Sequence, residues 1–170
     1  MTKQIIAVVM GSDSDLSVMR EALEMLEEFD IPFGVRVLSA HRTPGQTAEF
    51  AKNAIRDGVK VIITAAGGAA HLAGVIASMV TIPVIGVPIL TKTLSGVDSL
   101  YSIVQMPPGV PVATVGINSA KNAVILALQI IALNDRKLAR QLQSYKQKLE
   151  RAVVNKDHKL ASIGWRNYGS

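Results

Sequence analysis

An α/β fold, built in three layers around a parallel five-stranded sheet, is predicted by three features of the 170-residue sequence. Short aliphatic runs alternate with longer segments of helical period, in a repeated β-α order. The runs are almost wholly apolar instead of alternating, the pattern of strands buried on both faces. Glycines and polar residues collect directly after the runs, where open parallel sheets bind their ligands.

The elements follow in order. The strand-like runs are Ile5–Met10, Val35–Leu38, Val59–Ala65, Val84–Val87 and Val112–Val115. Helix-like segments cover 15–29, 44–57, 70–80, 96–105 and 119–133. Right-handed crossovers then favour a flavodoxin-like, Rossmann-like domain with strand order 2-1-3-4-5. Thr43, Pro44 and Gln46 read as N-cap, first helical residue and capping-box partner, and Ser95 with Asp98 repeats the box. Asn118 or Ser119 serves the fifth helix in the same way. Asp135 opens a C-terminal helical extension, in which Leu138, Leu142, Tyr145, Leu149 and Val153 recur at spacings of three and four. Residues 155–170 are polar and contain Gly, Trp165 and Tyr168, and they read as an extended tail docked on a neighbouring subunit. Residues 1–134 therefore make the α/β domain. Residues 135–170 form a helix and tail of the same single domain, used in oligomer contacts.

Composition excludes several classes. Charged residues are 18% and hydrophobic ones 49%, so the chain is not disordered. It has no Cys, which removes disulfide scaffolds, Cys-based zinc sites and thiol nucleophiles. No apolar stretch reaches the ~18 residues of a membrane span. The N-terminus lacks the basic start and cleavage site of a secretory signal, so a cytoplasmic protein is expected. The net charge of +5 is uneven. Residues 1–134 carry 9 Lys+Arg against 10 Asp+Glu, and residues 135–170 carry 9 against 3. The basic excess lies on the far face of an amphipathic helix and has no aromatic stacking platform. It reads as solvated surface, and no nucleic-acid partner is expected.

The chemistry gathers in four loops. Gly11-Ser12-Asp13-Ser14-Asp15 follows the first strand, and Ser39-Ala40-His41-Arg42-Thr43-Pro44 follows the second. Gly67-Gly68-Ala69-Ala70-His71 follows the third, and Pro88 with Thr91–Gly96 follows the fourth. Ser12, Ser14 and the two Asp residues suit sugar hydroxyls, or they cap the helix. Arg42, at a helix start, can take a phosphate through two parallel bonds. His41 is the candidate acid/base, because histidine ordinarily titrates near ~6.5. The small residues from Gly67 to Ala70 offer backbone N–H groups to a carboxylate or planar ring, and His71 can orient the loop or touch ligand. Nothing has metal-ligand spacing, so no metal is expected. No dinucleotide or P-loop fingerprint occurs, so no cofactor is expected either. From the residues alone, this is a site for a small phosphorylated, sugar-bearing molecule.

At these loops the sequence resembles the class I 5-(carboxyamino)imidazole ribonucleotide mutases of de novo purine biosynthesis. The matching stretches are Gly11–Asp15 (GSDSD), Ser39–Pro44 (SAHRTP), Gly67–Leu72 (GGAAHL) and Ser95–Pro107 (SGVDSLYSIVQMP). The resemblance covers roughly residues 4–153, with a departure at Ala73-Gly74-Val75. It implies a flavodoxin-like homo-octamer that moves a carboxylate from an exocyclic nitrogen to the ring carbon without metal or cofactor. The implied catalytic residue is His41. The implied substrate contacts are Ser12, Asp13, Ser14, Asp15, Ser39, Ala40, Arg42, Gly67, Gly68, Ala69, His71 and Leu72. A related class II carboxylase takes free carbon dioxide and tends to carry Lys in place of Arg42. That class lacks the GGAAHL form, so the mutase is favoured.

Rival readings meet specific obstacles. A signalling receiver needs an Asp ending the third strand, where this chain has Thr64-Ala65-Ala66-Gly67. A flavin carrier needs aromatic stacking, yet the first three loops hold no aromatic residue, and a flavodoxin-like nucleotide-binding module stands as a remote alternative.

Overall fold

The computed structural model describes residues 4–169. Its elements run β1 (Ile6–Met10), α1 (Leu16–Glu28), β2 (Phe33–Val37), α2 (Pro44–Ala54), β3 (Val61–Gly67) and α3 (Leu72–Ala77). They continue with β4 (Val84–Ile89), α4 (Val97–Val104), β5 (Ala113–Thr114), α5 (Ala120–Ala132) and α6 (Arg136–Ile163). The five strands form one sheet in the order β2-β1-β3-β4-β5, with every neighbouring pair parallel. The expected fold class and strand order are both found.

The apolar runs behave as expected in the centre of the sheet. Every residue of β1 is buried, as are Val61–Ala66 of β3 and Val84–Pro88 of β4. At the edges they do not. β2 lies outermost with Val35, Arg36 and Val37 exposed, and β5 shrinks to two residues, neither of them buried. An edge strand has one neighbour, so its aliphatic side chains need not be covered on both faces.

Gly86, midway along β4, sets how closely α4 can lie. A Cβ there would overlap the Ile103 side chain, and it would stand 3.1 Å from Val112 Cγ1. Ile103 is fully buried as a result. This close seat brings the start of α4 to the loops at the carboxyl edge of the sheet.

Three predicted helix starts are built differently. The Thr43 side chain turns back to the preceding loop, accepting from Ser39 N (2.9 Å) and donating to Ser39 O (3.1 Å), and it makes no capping bond. Ser95 has φ 52°, which is left-handed, whereas an N-cap needs extended backbone. The cap position of α4 therefore falls to Gly96 at φ 83°, and the Asp98 carboxylate accepts from Thr91 Oγ1 (2.8 Å). The Asn118 side chain is spent on Leu90 N (2.9 Å), and Ser119 Oγ donates to Ile117 O (3.4 Å). The third helix is also shorter than expected, six residues from Leu72, because Gly68–His71 form a turn.

The chain divides into two units, Met1–Ile131 and Ala132–Ser170. In the second unit Asp135 caps α6 as expected, accepting from Lys137 N (2.9 Å) and Leu138 N (3.0 Å). The expected extended tail is corrected. Residues 155–163 continue α6, which is 28 residues long. Lys, Leu and Ala favour helix, and nothing between Asn155 and Ile163 breaks it. Gly164 at φ 73° ends it, and a short turn over Trp165–Asn167 follows, with Asn167 Nδ2 donating to Ile163 O (3.0 Å). Ser170, the last residue of the expected tail, lies outside the described residues.

Candidate active site

Strand register brings the candidate loops to one edge. Met10, at the end of β1, pairs with Val37 on one side and Ala65 on the other, and Gly67 pairs with Ile89. The chain therefore leaves β1, β2, β3 and β4 at neighbouring points, where the order reverses around β1. A cavity of about 440 Å³ opens there.

Its walls contain Ser12, Ser14, Asp15, Ser39, Ala40, His41, Arg42, Gly67, Ala69 and Leu72, all of them candidates from the sequence. Asp13 and Gly68 do not line it. The Asp13 carboxylate instead accepts from Ser14 N (3.1 Å) and Ser12 Oγ (3.1 Å). Gly68, at φ 67°, donates its N–H to Ser99 Oγ (2.9 Å). His71 does not line the cavity either, but its Nδ1 lies 2.8 Å from His41 Nε2, and the two rings meet edge to face. Gly11, Ala66, Ile89 and Leu90 also line the cavity, outside the predicted set. Gly11 opens the GSDSD stretch, and the position at the end of a strand that marks the other loops applies equally to Ile89. Apolar strand residues give no chemical signal of their own.

The loops are locally braced. Ser12 accepts from Ser14 N (3.4 Å), while Asp15 accepts from Ser12 N (3.1 Å), a reciprocal box around a 3-10 turn over Asp13–Asp15. The reciprocal bonds between Thr43 and Ser39 close the loop that carries His41 and Arg42. The Arg42 guanidinium spans two loops, donating from Nη2 to Gly11 O (3.2 Å) and from Nε to Ser39 Oγ (3.4 Å). Of the amides in the turn after β3, Gly68 is held by Ser99, Ala70 by Gly68 O (2.8 Å) and His71 by Ala69 O (2.8 Å). Ala69 itself lines the cavity. Among the described residues no cluster of three or more His, Asp or Glu is placed to hold a metal ion. No helix among them is long and apolar enough to cross a membrane.

Burial pushes the Asp15 carboxyl above its ordinary value of 3.8, against the bonds from Ser12 and Ser14 that favour the charged form. The native state thus holds the Asp15 proton more tightly than the unfolded chain. The ionised group costs stability at neutral pH, and that cost fades as pH falls through the raised value toward 3.8. Asp15→Asn, neutral throughout, is free of that cost and is expected to gain unfolding temperature relative to the wild type at pH 7. The gain should shrink as the pH of the melt is lowered, and an equal gain at every pH would assign it to something other than ionisation.

Fold and cavity together define an α/β protein with a polar-lined cavity at the switch point of its sheet, the place where open parallel sheets bind small molecules. The chain belongs to the AIR carboxylase family, whose model matches residues 5–152. It is 54% identical to the N5-carboxyaminoimidazole ribonucleotide mutase of Thermotoga maritima, over 96% of this chain and 95% of that protein. It is 51% identical to the phosphoribosylaminoimidazole carboxylase of Candida glabrata, over 98% of this chain and 29% of that longer protein. A solved structure of Treponema denticola PurE superposes with TM-score 0.85 at 30% identity, over 92% of this chain and 98% of that one.

Proposed function

We propose that the protein is a mutase that converts 5-(carboxyamino)imidazole ribonucleotide to 4-carboxy-5-aminoimidazole ribonucleotide in purine biosynthesis. The observation that carries the reading is the adjacent pair His41 and Arg42, held on one braced loop at the wall of the cavity. Arg42 takes the phosphate, and Ser12, Ser14 and Asp15 accept from or donate to the ribose. These contacts place the imidazole toward His41 and the Ala69 amide.

The reaction needs two proton transfers and one trapped molecule. The bond between the exocyclic nitrogen and the carboxylate breaks, its electron pair stays on nitrogen, and His41 supplies the proton. Carbon dioxide is retained beside Ala69. The ring carbon then attacks it, the new carbon–carbon bond forms, and His41 takes the ring proton. The histidine returns to its starting state, so nothing external is consumed. Carbon dioxide lost to solvent would be a failed turnover, which makes the apolar wall of Ala66, Leu72, Ile89 and Leu90 useful.

The alternative is a carboxylase that takes free carbon dioxide; the Candida glabrata relative is named a carboxylase. Supplying each substrate separately decides between the two. Turnover of the carboxyamino compound without added bicarbonate is expected. Turnover only of the aminoimidazole ribonucleotide with bicarbonate would overturn the mutase reading. From the same resemblance, the working form is a cytoplasmic homo-octamer, with residues 135–170 in subunit contacts. Mass measurement in solution checks the number.

A further inference from the structure

We propose that Ser99, on α4, is a positioning residue for the His41–His71 pair. This rests on the mutase reading above. Ser99 is fully buried, and its one hydroxyl accepts from Gly68 N (2.9 Å) and donates to Ile89 O (2.7 Å). It ties the turn after β3 to the end of β4, two walls of the same cavity. One helical turn later, Ser102 Oγ shares its one proton between Asp98 O (2.7 Å) and Gly68 O (3.2 Å). Both backbone polar groups of Gly68 are thereby held from α4, at a residue whose left-handed φ of 67° already fixes the direction of the turn.

The restraint passes along the backbone. Ala70 N–H donates to Gly68 O and His71 N–H to Ala69 O, both at 2.8 Å. The position of Gly68 therefore sets the Ala69 amide and the start of α3, where His71 sits. His71 in turn contacts the ring nitrogen of His41. A hydrogen bond between two imidazoles requires one ring to donate and the other to accept, so the contact couples the tautomer of His41 to that of His71. With Ala at position 99, Gly68 N–H and Ile89 O would each lose a partner at a half-buried site, and the turn would be free to shift. The Gly11–Asp15 and Ser39–Thr43 loops, which hold the ribose and phosphate contacts, are braced separately and would keep their form.

Ser99→Ala is therefore expected to lower kcat more than about tenfold while KM for the ribonucleotide stays within about threefold. A readout independent of turnover accompanies the kinetics. The chain has three histidines, and nitrogen-15 spectra of their rings report tautomer and hydrogen bonding. In Ser99→Ala the His41 and His71 signals should move and those of His158 should not. Unmoved His41 and His71 signals would overturn the proposal whatever the kinetics. Moved signals with an unchanged kcat would overturn it as well. If the wild-type protein turns over neither ribonucleotide, the mutase reading fails, and the ring spectra still decide whether Ser99 sets the pair. Should Ser99→Ala lose its native circular dichroism, Ser102→Ala is read by the same two measurements, with the same outcomes deciding.

Discussion

Exchange of His41 for Asn is expected to cut turnover of the carboxyamino ribonucleotide by about 10³-fold, within the ~10²–10⁴ range of acid–base catalysis. Asn is planar and polar and fits where a ring edge stood, but it neither gives nor takes a proton. His41 is solvent-exposed and contributes nothing to the core, so the variant should fold as the wild type does. Its neighbour Arg42 keeps both loop contacts, and affinity for the ribonucleotide should stay within a few-fold. Steady-state turnover and equilibrium binding, measured on the same preparation, separate the two effects. The mutase route asks His41 to donate in one step and accept in the next, so its loss blocks both halves, with no partial reaction left. Near-normal turnover would remove His41 from the proton path and shift attention to His71, which stands 2.8 Å away.

The clustering that points to His41 was legible because parallel α/β sheets place ligands by topology. Once the aliphatic runs are ordered 2-1-3-4-5, the loops after four strands must meet, and ten of the predicted residues do line one cavity. What the sequence hid was how each loop is held. Thr43, Ser95 and Asn118 carry side chains suited to capping, but each binds backward or across to another segment, or sits at a φ that forbids capping. Local propensity cannot weigh a contact such as Leu90 N to Asn118, which spans 28 residues. Ser99 is invisible for the same reason, since its two partners lie at Gly68 and Ile89. The tail failed on different grounds. Residues 155–163 are polar, but polarity does not oppose helix, because helix propensity depends on backbone freedom and rotamer entropy. The edge strands failed because an apolar run states that a side chain can be buried, not that the sheet extends far enough to bury it.

Removal of the Arg42 side chain is the second large effect expected, and it should fall on binding. The loops of the first unit have no general positive field, because residues 1–134 carry 9 basic and 10 acidic side chains. Attraction of a phosphate must then come from a group placed at the site. Among the described residues Arg42 is the one Lys or Arg in the cavity wall, and it is fixed between Gly11 O and Ser39 Oγ without a carboxylate partner in either contact. A charge-assisted hydrogen bond is worth about 1.5–3 kcal/mol, so Arg42→Ala should weaken ribonucleotide binding by roughly 10–150-fold. The chemical step is remote from the phosphate, and kcat at saturation should fall far less than KM rises. Arg42→Lys separates charge from shape. It keeps the cation but loses the planar fork that can meet a phosphate while still holding the Gly11 loop, so its affinity should lie between the other two. Added salt should narrow the gap between wild type and Arg42→Ala, since screening weakens an exposed ion contact and leaves the neutral ribose contacts untouched. Isothermal titration at two ionic strengths measures both quantities. Unchanged affinity in Arg42→Ala would place the phosphate elsewhere on the cavity wall, with the helix start at Ser12–Asp15 the next position to test.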